Sequence, residues 1–402
     1  MSNIIPPMNN PQKRRAMESF PTLLVQCYRT KSPFYPLVGC RMTAMTLQYG
    51  IHENSALGLC SLALAYATVF QDMSTGYKLG KYALAITTSK NTPAVYLTLL
   101  GMVSVWKEPI QAVLPQLTHA YKTALKHGLI SEALINSYLY AIRAFMSGSK
   151  LSSLCKEVTF FLRQYLFYQH KLLFMSTVPI CFAFQSLRGQ EVHPNIDMDK
   201  TLVESFEKRD LAIAESVVVS DMMCSFILRE YDKASKIAKE YLDVFEKNDV
   251  AGPAFFINIF RFFYGGLIAF DCYRRTHGQF WKDTGERSVS KFVAWNKECE
   301  WNFQNKLLLL QAEQYFAMGK MTEAKYTYNL AISSAKDHRF INEEALSCEL
   351  ASIFHQKTGR QDQSIQLLKR AYKCYESWGA RAKAKALSKE LYFRLDNPCS
   401  PT

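Results

Sequence analysis

The sequence lacks the spacings from which nucleotide, metal and nucleophile chemistry is usually assembled. It contains no GxxxxGK[ST] phosphate loop, no GxGxxG turn and no GxSxG elbow, so no short motif offers backbone N–H groups to a phosphate or a serine to a carbonyl. Its eight histidines include no HxxxH or HExxH spacing, and two ligands on one helical face need i,i+4 placement. Eleven cysteines form no CxxC pair and are odd in number; with Cys60, Cys181 and Cys224 inside apolar helical runs, they read as buried thiols of a reducing, cytoplasmic setting rather than a disulfide framework or zinc site. Proline is missing from 254 to 397, which predicts consecutive helices, since an interior proline disrupts them. The N-terminus has no continuous apolar region of the secretory kind. The longest apolar segment, 254–270, is interrupted by Asn258, Arg261 and the pair Gly265 and Gly266, too short and polar to be read as a membrane span.

What is present suits an ordered protein too long for a single core. Hydrophobic residues make up 49% of 402 and charged residues 21%, outside the disordered range. The net charge of +13 comes from 48 Lys and Arg against 35 Asp and Glu. No compact basic run accompanies it, so a basic, solubilising surface is the simpler reading beside nucleic-acid or anionic-membrane contact.

The informative stretch is 308–331, where Ala312, Tyr315, Gly319, Ala324, Tyr328 and Ala331 follow one another at intervals of 3, 4, 5, 4 and 3. Those are the offsets of a tetratricopeptide helix pair: small residues where backbones cross, bulky ones filling the groove, glycine at the turn. The register 64→76→80→83 repeats 312→324→328→331 with Leu64, Gly76, Gly80 and Ala83. Further pairs are predicted over 131–169, broken at Ser147 to Ser149, and over 221–245, with Ala234 and Ala238 at the packing positions. A last pair over 342–375 carries Leu350, Ala351, Phe354, Gly359, Leu368 and Ala371, with Ser364 where alanine is usual. Pro93 and Pro109 stand where helices can begin. The apolar helix expected at 254–273, with Phe255, Phe256, Phe260, Phe262, Phe263 and Tyr264, reads as buried packing, with a binding stripe as the alternative.

The fold expected is therefore all-α, an α-solenoid of antiparallel, divergent tetratricopeptide-like helix pairs. The expected organisation is a flexible, proline-bearing lead over 1–35, an N-terminal helical segment over 36–190, a C-terminal segment over 197–395 and a short tail over 396–402. A polar boundary, GQEVHPNIDMD, separates the two segments. Lys13, Arg14 and Arg15 in the lead are too short a cluster to read as a nuclear address.

The stretch 300–384, ending in AISSAKDHRFINEEALSCELA and YKCYESWGARAKA, resembles the tetratricopeptide-like helical-repeat region of hybrid serine/threonine kinase–ATPase–sensor histidine kinases of bacteria and some microbial eukaryotes. Weaker echoes are SALGLCSLALAYATVFQDMSTGYKLGKYAL and VWKEP upstream. In that family the region is similar to a connector between a kinase and AAA-like ATPase on one side and GAF and histidine-kinase or cyclase domains on the other. This chain has neither the HRD loop nor the DFG motif of a kinase, and it ends 22 residues after Ala380, where the family continues. The resemblance thus implies a fold and an interaction role and carries over no catalytic residue.

No catalytic, cofactor-binding or metal-binding residue is expected, and no cofactor. Glu343 and Glu344, like Glu204 and Glu207, read as solvated helical faces. The function expected is a non-catalytic protein–protein interaction scaffold, stand-alone or a truncated connector arm, holding a peptide or helix of another protein in a concave groove, with kinase or ATPase signalling components as candidate partners. The alternative is an RNA- or anionic-surface-binding protein using the basic stretch 369–394 with Tyr372, Tyr375 and Trp378. Irregular repeat lengths argue against an RNA code.

Overall fold

The computed structural model describes residues 5–30, 32–190, 198–208, 211–247 and 256–396. Among them the chain is helical, and the one strand-like pairing is an isolated bridge between Pro7 and Ile51. It divides into two compact units at Tyr140/Ala141. The polar segment read as the internal boundary falls largely on 191–197, outside the described residues, and 141–190 packs with the C-terminal unit.

The N-terminal unit holds α1 (Pro11–Arg29), α2 (Tyr35–Tyr49), α3 (Ser55–Thr68), α4 (Met73–Ile86), α5 (Thr92–Thr98) and α6 (Leu114–Lys126), and most of α7 (Ile130–Met146). The lead expected to be flexible is instead helix α1, preceded by Met8. Met8, Met17, Leu24 and Cys27 are buried against Val38, Met42 and Met45 of α2. Pro11 opens α1, where a missing N–H loses no bond.

In the repeated 12-4-3 register, Gly76 lies where α3 and α4 cross and Gly80 where α4 meets Leu99. A Cβ on Gly76 would come within 2.7 Å of the Ala63 carbonyl oxygen, and one on Gly80 within 2.6 Å of Leu99 Cδ1. Asp72 caps α4 by accepting from the Thr75 N–H at 2.9 Å, a bond that satisfies one of the helix's free donors. Between α5 and α6 the helix tightens and loosens: Leu99–Val103 is a π-helical turn, followed by 3-10 turns at Ser104–Trp106 and Ile110–Val113. Pro109 opens the second of these short turns.

The C-terminal unit comprises the end of α7 and then α8 (Leu151–Phe167), α9 (Lys171–Arg188), α10 (Met198–Glu207), α11 (Leu211–Ile227), α12 (Tyr231–Lys247), α13 (Phe256–Thr276), α14 (Gln279–Glu298), α15 (Glu300–Ala317), α16 (Met321–Asp337), α17 (Ile341–Lys357), α18 (Gln361–Trp378) and α19 (Arg381–Asp396). From α11 on, neighbours pack in a row as antiparallel pairs. The expected all-α solenoid is the fold observed.

Two kinds of helix alternate in that row. Second helices carry one buried stripe: Ala234, Ala238, Leu242 and Phe245 on α12, and Ser364, Leu368, Ala371, Tyr375 and Trp378 on α18. First helices are covered almost all round; α17 buries Ala345 through Ser352 without a break. A helix with one stripe faces a single neighbour, and one buried on every side is sandwiched. The aromatic helix α13 is of the second kind. Phe260, Phe263 and Tyr264 are buried, while Phe262 is half-buried with its ring 5.8 Å from Trp295. Phe255 lies outside the described residues.

Ala312, Ala324, Tyr328 and Ala331 are fully buried where α15 and α16 cross. Tyr315 is only half-buried; the space is filled by Phe316 with Phe354 of α17, ring centres 5.1 Å apart. Gly319 follows α15 at φ +75°, with its N–H on the Phe316 carbonyl at 3.2 Å and the Lys320 N–H on Tyr315 at 2.9 Å, the paired bonds of a left-handed helix stop. Between α17 and α18, Ser364 replaces alanine without loss: Ser352 Oγ donates to the Ser364 carbonyl and Ser364 Oγ to the Ser352 carbonyl, each at 2.8 Å. Ala324→Leu should overpack the α15–α16 seam and lower stability by about 1–3 kcal/mol. A chemical denaturation midpoint equal to wild type would refute that register.

The row also returns on itself. Helix α19 packs against α9, and the Phe145 ring of α7 lies 4.7 Å from Phe184 of α9, 5.7 Å from Phe260 of α13 and 6.0 Å from Trp378 of α18.

Candidate functional site

The interior of the C-terminal unit gathers charged side chains that the sequence pattern did not reveal. Glu349 of α17 is the centre of one group. It accepts from Lys383 Nζ at 2.5 Å, from Arg229 Nε at 2.5 Å and from the Tyr375 hydroxyl at 2.7 Å. Arg229 also donates to Glu390 of α19 at 2.7 Å, and Arg394 pairs with the same Glu390. Four helix regions thus meet on two carboxylates. Arg229 reaches them from the turn after α11, where it holds φ +65°. That left-handed conformation costs a non-glycine residue about 1–2 kcal/mol. The turn bonds, Arg229 N–H to Phe226 at 3.1 Å and Glu230 N–H to Ser225 at 2.8 Å, and the two ion pairs hold it there.

Burial by itself would raise the Glu349 carboxyl, but Lys383, Arg229 and Tyr375 outweigh it and hold the group below the usual carboxylate value. Burial pushes Lys383 down against the pull of Glu349. The pair on α15 and α17 behaves differently. Lys306 Nζ lies 2.8 Å from Glu343, with Asn305 also donating, yet burial raises Glu343 and lowers Lys306 despite their attraction. One cation and one amide do not replace the lost water, whereas two cations and a phenol do. A third carboxylate, Glu313, accepts from Tyr328 and pairs with Arg274. Arg261 Nη1 lies 2.9 Å from Glu215.

Glu343, read from the sequence as part of a solvated face, is therefore a buried ion-pair member, and its neighbour Glu344 takes both Arg370 Nε and Nη2, at 2.9 and 2.7 Å. Glu204 does stand outside, paired with Lys208 at 2.7 Å. The sequence did hold a signal for the others. Glu313 sits in LLLLQAEQYF and Glu349 in ALSCELASIF, single carboxylates in runs too apolar to face water.

The basic stretch of α18 and α19 is partly engaged in ion pairs. Of its eight cations, Arg370, Lys383 and Arg394 are engaged with Glu344, Glu349 and Glu390, and Tyr375 and Trp378 are buried. Lys373, Arg381, Lys385 and Lys389 remain exposed. A concavity of about 440 Å³ lies along α14, lined by Asp283, Glu286, Arg287, Ser290, Lys291 and Ala294, all from one helix. Among the described residues no group of three or more His, Cys, Asp and Glu is placed to hold a metal ion, and no helix is long and apolar enough to cross a membrane. Of the ten described cysteines nine are buried and Cys40 is exposed; Cys399 lies outside the described residues.

Exposed apolar side chains mark candidate contact surfaces. In the N-terminal unit, Leu23 and Val25 of α1, Phe34 just before α2, Leu37 of α2, and Val69 and Phe70 after α3 are all largely exposed. The packing of α2 on α3 is antiparallel, with Gly39 against Ser61, Gly58 against Met42, and Thr46 Oγ1 2.7 Å from Ser55 Oγ. Phe34, Leu37, Val69 and Phe70 therefore lie at one end, where the short turn from α1 also arrives. Set against known proteins, the sequence matches no family model and no curated protein.

Proposed function

We propose that the chain is a non-catalytic protein–protein interaction scaffold whose docking surface is the apolar end formed by α1, α2 and α3. What supports the reading is the exposure there of Phe34 (62%) and Phe70 (66%) beside Leu37 and Val69. Large apolar side chains gathered at one place on a surface mark contact sites, and aromatic anchors supply most of the energy of such contacts. The occupant proposed is an apolar helix or peptide of another protein. Because the C-terminal unit packs its last helix on α9, the reading puts binding on the α1–α3 end rather than in a groove of that unit. The resemblance of 300–384 to a signalling connector makes a kinase or ATPase component the partner to try first.

The test compares two baits, the full chain and its Phe34→Ser, Phe70→Ser double variant, titrated against each protein the full chain captures. The variant should bind about tenfold or more weakly with an unchanged melting temperature, since neither side chain is buried. Equal affinity for every captured protein would remove the α1–α3 end from the function.

A further inference from the structure

The corner between α8 and α9 has a different surface chemistry. The outward stripe of α8 is Ser153, Lys156, Phe160, Arg163 and Phe167, spaced 3, 4, 3 and 4 and all exposed. It runs about 16 Å from Lys156 to Phe167 at 1.5 Å per residue. Leu166, Tyr168, Lys171 and Leu172 extend it around the corner. Phe167, at 79%, is the most exposed large apolar side chain among the described residues. Its ring lies 4.9 Å from Tyr168, so two aromatics share the tip.

The charges on this stripe have one sign: Lys156, Arg163 and Lys171. Glu157 is half-buried, and Glu204, which lies within electrostatic reach of Lys171, is bound to Lys208 at 2.7 Å. Apolar rings and long cationic side chains interleaved on one outward face match the layering of a lipid interface, where acyl chains accept Phe and Leu and anionic headgroups accept Lys and Arg. Tyrosine is favoured at that boundary for the same reason. A peptide partner is received in a groove; Phe167 stands out from a corner, and a bilayer accepts such a projection.

We infer that the α8 stripe and the α8–α9 corner form a peripheral docking surface for anionic membranes. Phe160, Phe167 and Leu172 enter the interface, and Lys156, Arg163 and Lys171 contact anionic headgroups. The surface is distinct from the α1–α3 end, and the attachment is peripheral.

Sedimentation of the full chain with vesicles of phosphatidylcholine, with and without phosphatidylserine, tests the inference. The wild type should pellet with the phosphatidylserine vesicles, stay in solution with phosphatidylcholine alone, and be released by salt. Phe167→Ser with Leu172→Ser should weaken the association by about tenfold or more. Arg163→Gln should weaken it about fivefold, while Phe34→Ser with Phe70→Ser should leave it unchanged. No sedimentation of the wild type, or equal sedimentation of the Phe167 and Leu172 variant, overturns the inference. So does self-association that this variant abolishes in the absence of vesicle binding, which would assign the corner to a second copy of the chain.

Discussion

Exchanging Glu349 for glutamine is expected to lower the stability of the C-terminal unit by about 3–5 kcal/mol at neutral pH, the cost of removing one member of a buried ion pair. The substitution changes shape by almost nothing and preserves an acceptor for the Tyr375 hydroxyl. What it removes is the charge facing Lys383 and Arg229, the first of them nearly inaccessible to water. Arg229 keeps Glu390; Lys383 keeps no carboxylate of comparable distance among its described contacts. The dependence on pH carries a second signature. In the folded protein Glu349 titrates below its ordinary value of 4.5, so its stabilisation is complete above that pH and is lost as pH falls through the depressed folded value. Denaturation at a series of pH values should therefore show a shallower acid decline for Glu349→Gln than for wild type. Four of the five tryptophans lie in the C-terminal unit, so intrinsic fluorescence reports on the right part of the chain. Wild-type stability at neutral pH in the variant would mean the carboxylate is not paired as described.

Trp378→Ala should be comparably severe, at about 3–5 kcal/mol for a large buried aromatic. Trp378 is 2% exposed and ends α18, with Tyr375 one turn before it and Phe145 of α7 stacked on it at an interplanar angle of 24°. Truncation leaves Phe145 without its partner on that side and loosens the contact between α7 and α18. Because α19 follows directly through Gly379, proteolysis of the variant should release α19 earlier than in wild type. A change within about 0.5 kcal/mol, the range of ordinary surface substitutions, would show that the return of the row on itself contributes little.

The helix pairs were legible because each rests on a local rule. Small residues at 76, 80, 83, 312, 324 and 331 permit close crossings, and Gly319 and Gly359 stop helices in the left-handed conformation at φ +75°. Three features were not legible. Helix α1 was masked by its prolines; Pro21 lies inside it, and only the partnership of Met8 and Met17 with α2 reveals why the helix persists. The stop after α11 uses Arg229 where glycine is usual, so the turn carries no local mark. The buried carboxylates depend on cations 34 to 120 residues away, as Lys383 and Arg229 are from Glu349, and no period in the chain encodes such a distance. Of the candidate contact surfaces, the exposed phenylalanines were present as letters; which of them face outward was settled by packing.

Similar helices stacked in series face a sorting problem, because apolar seams of alanine and leucine fit many neighbours about equally well. The carboxylates at 215, 313, 343 and 349, each matched to its own cation, act as address labels on otherwise interchangeable parts. A helix docked one position out of order would strand a carboxylate in an oily cleft. That penalty favours the one stacking order in which each carboxylate meets its cation.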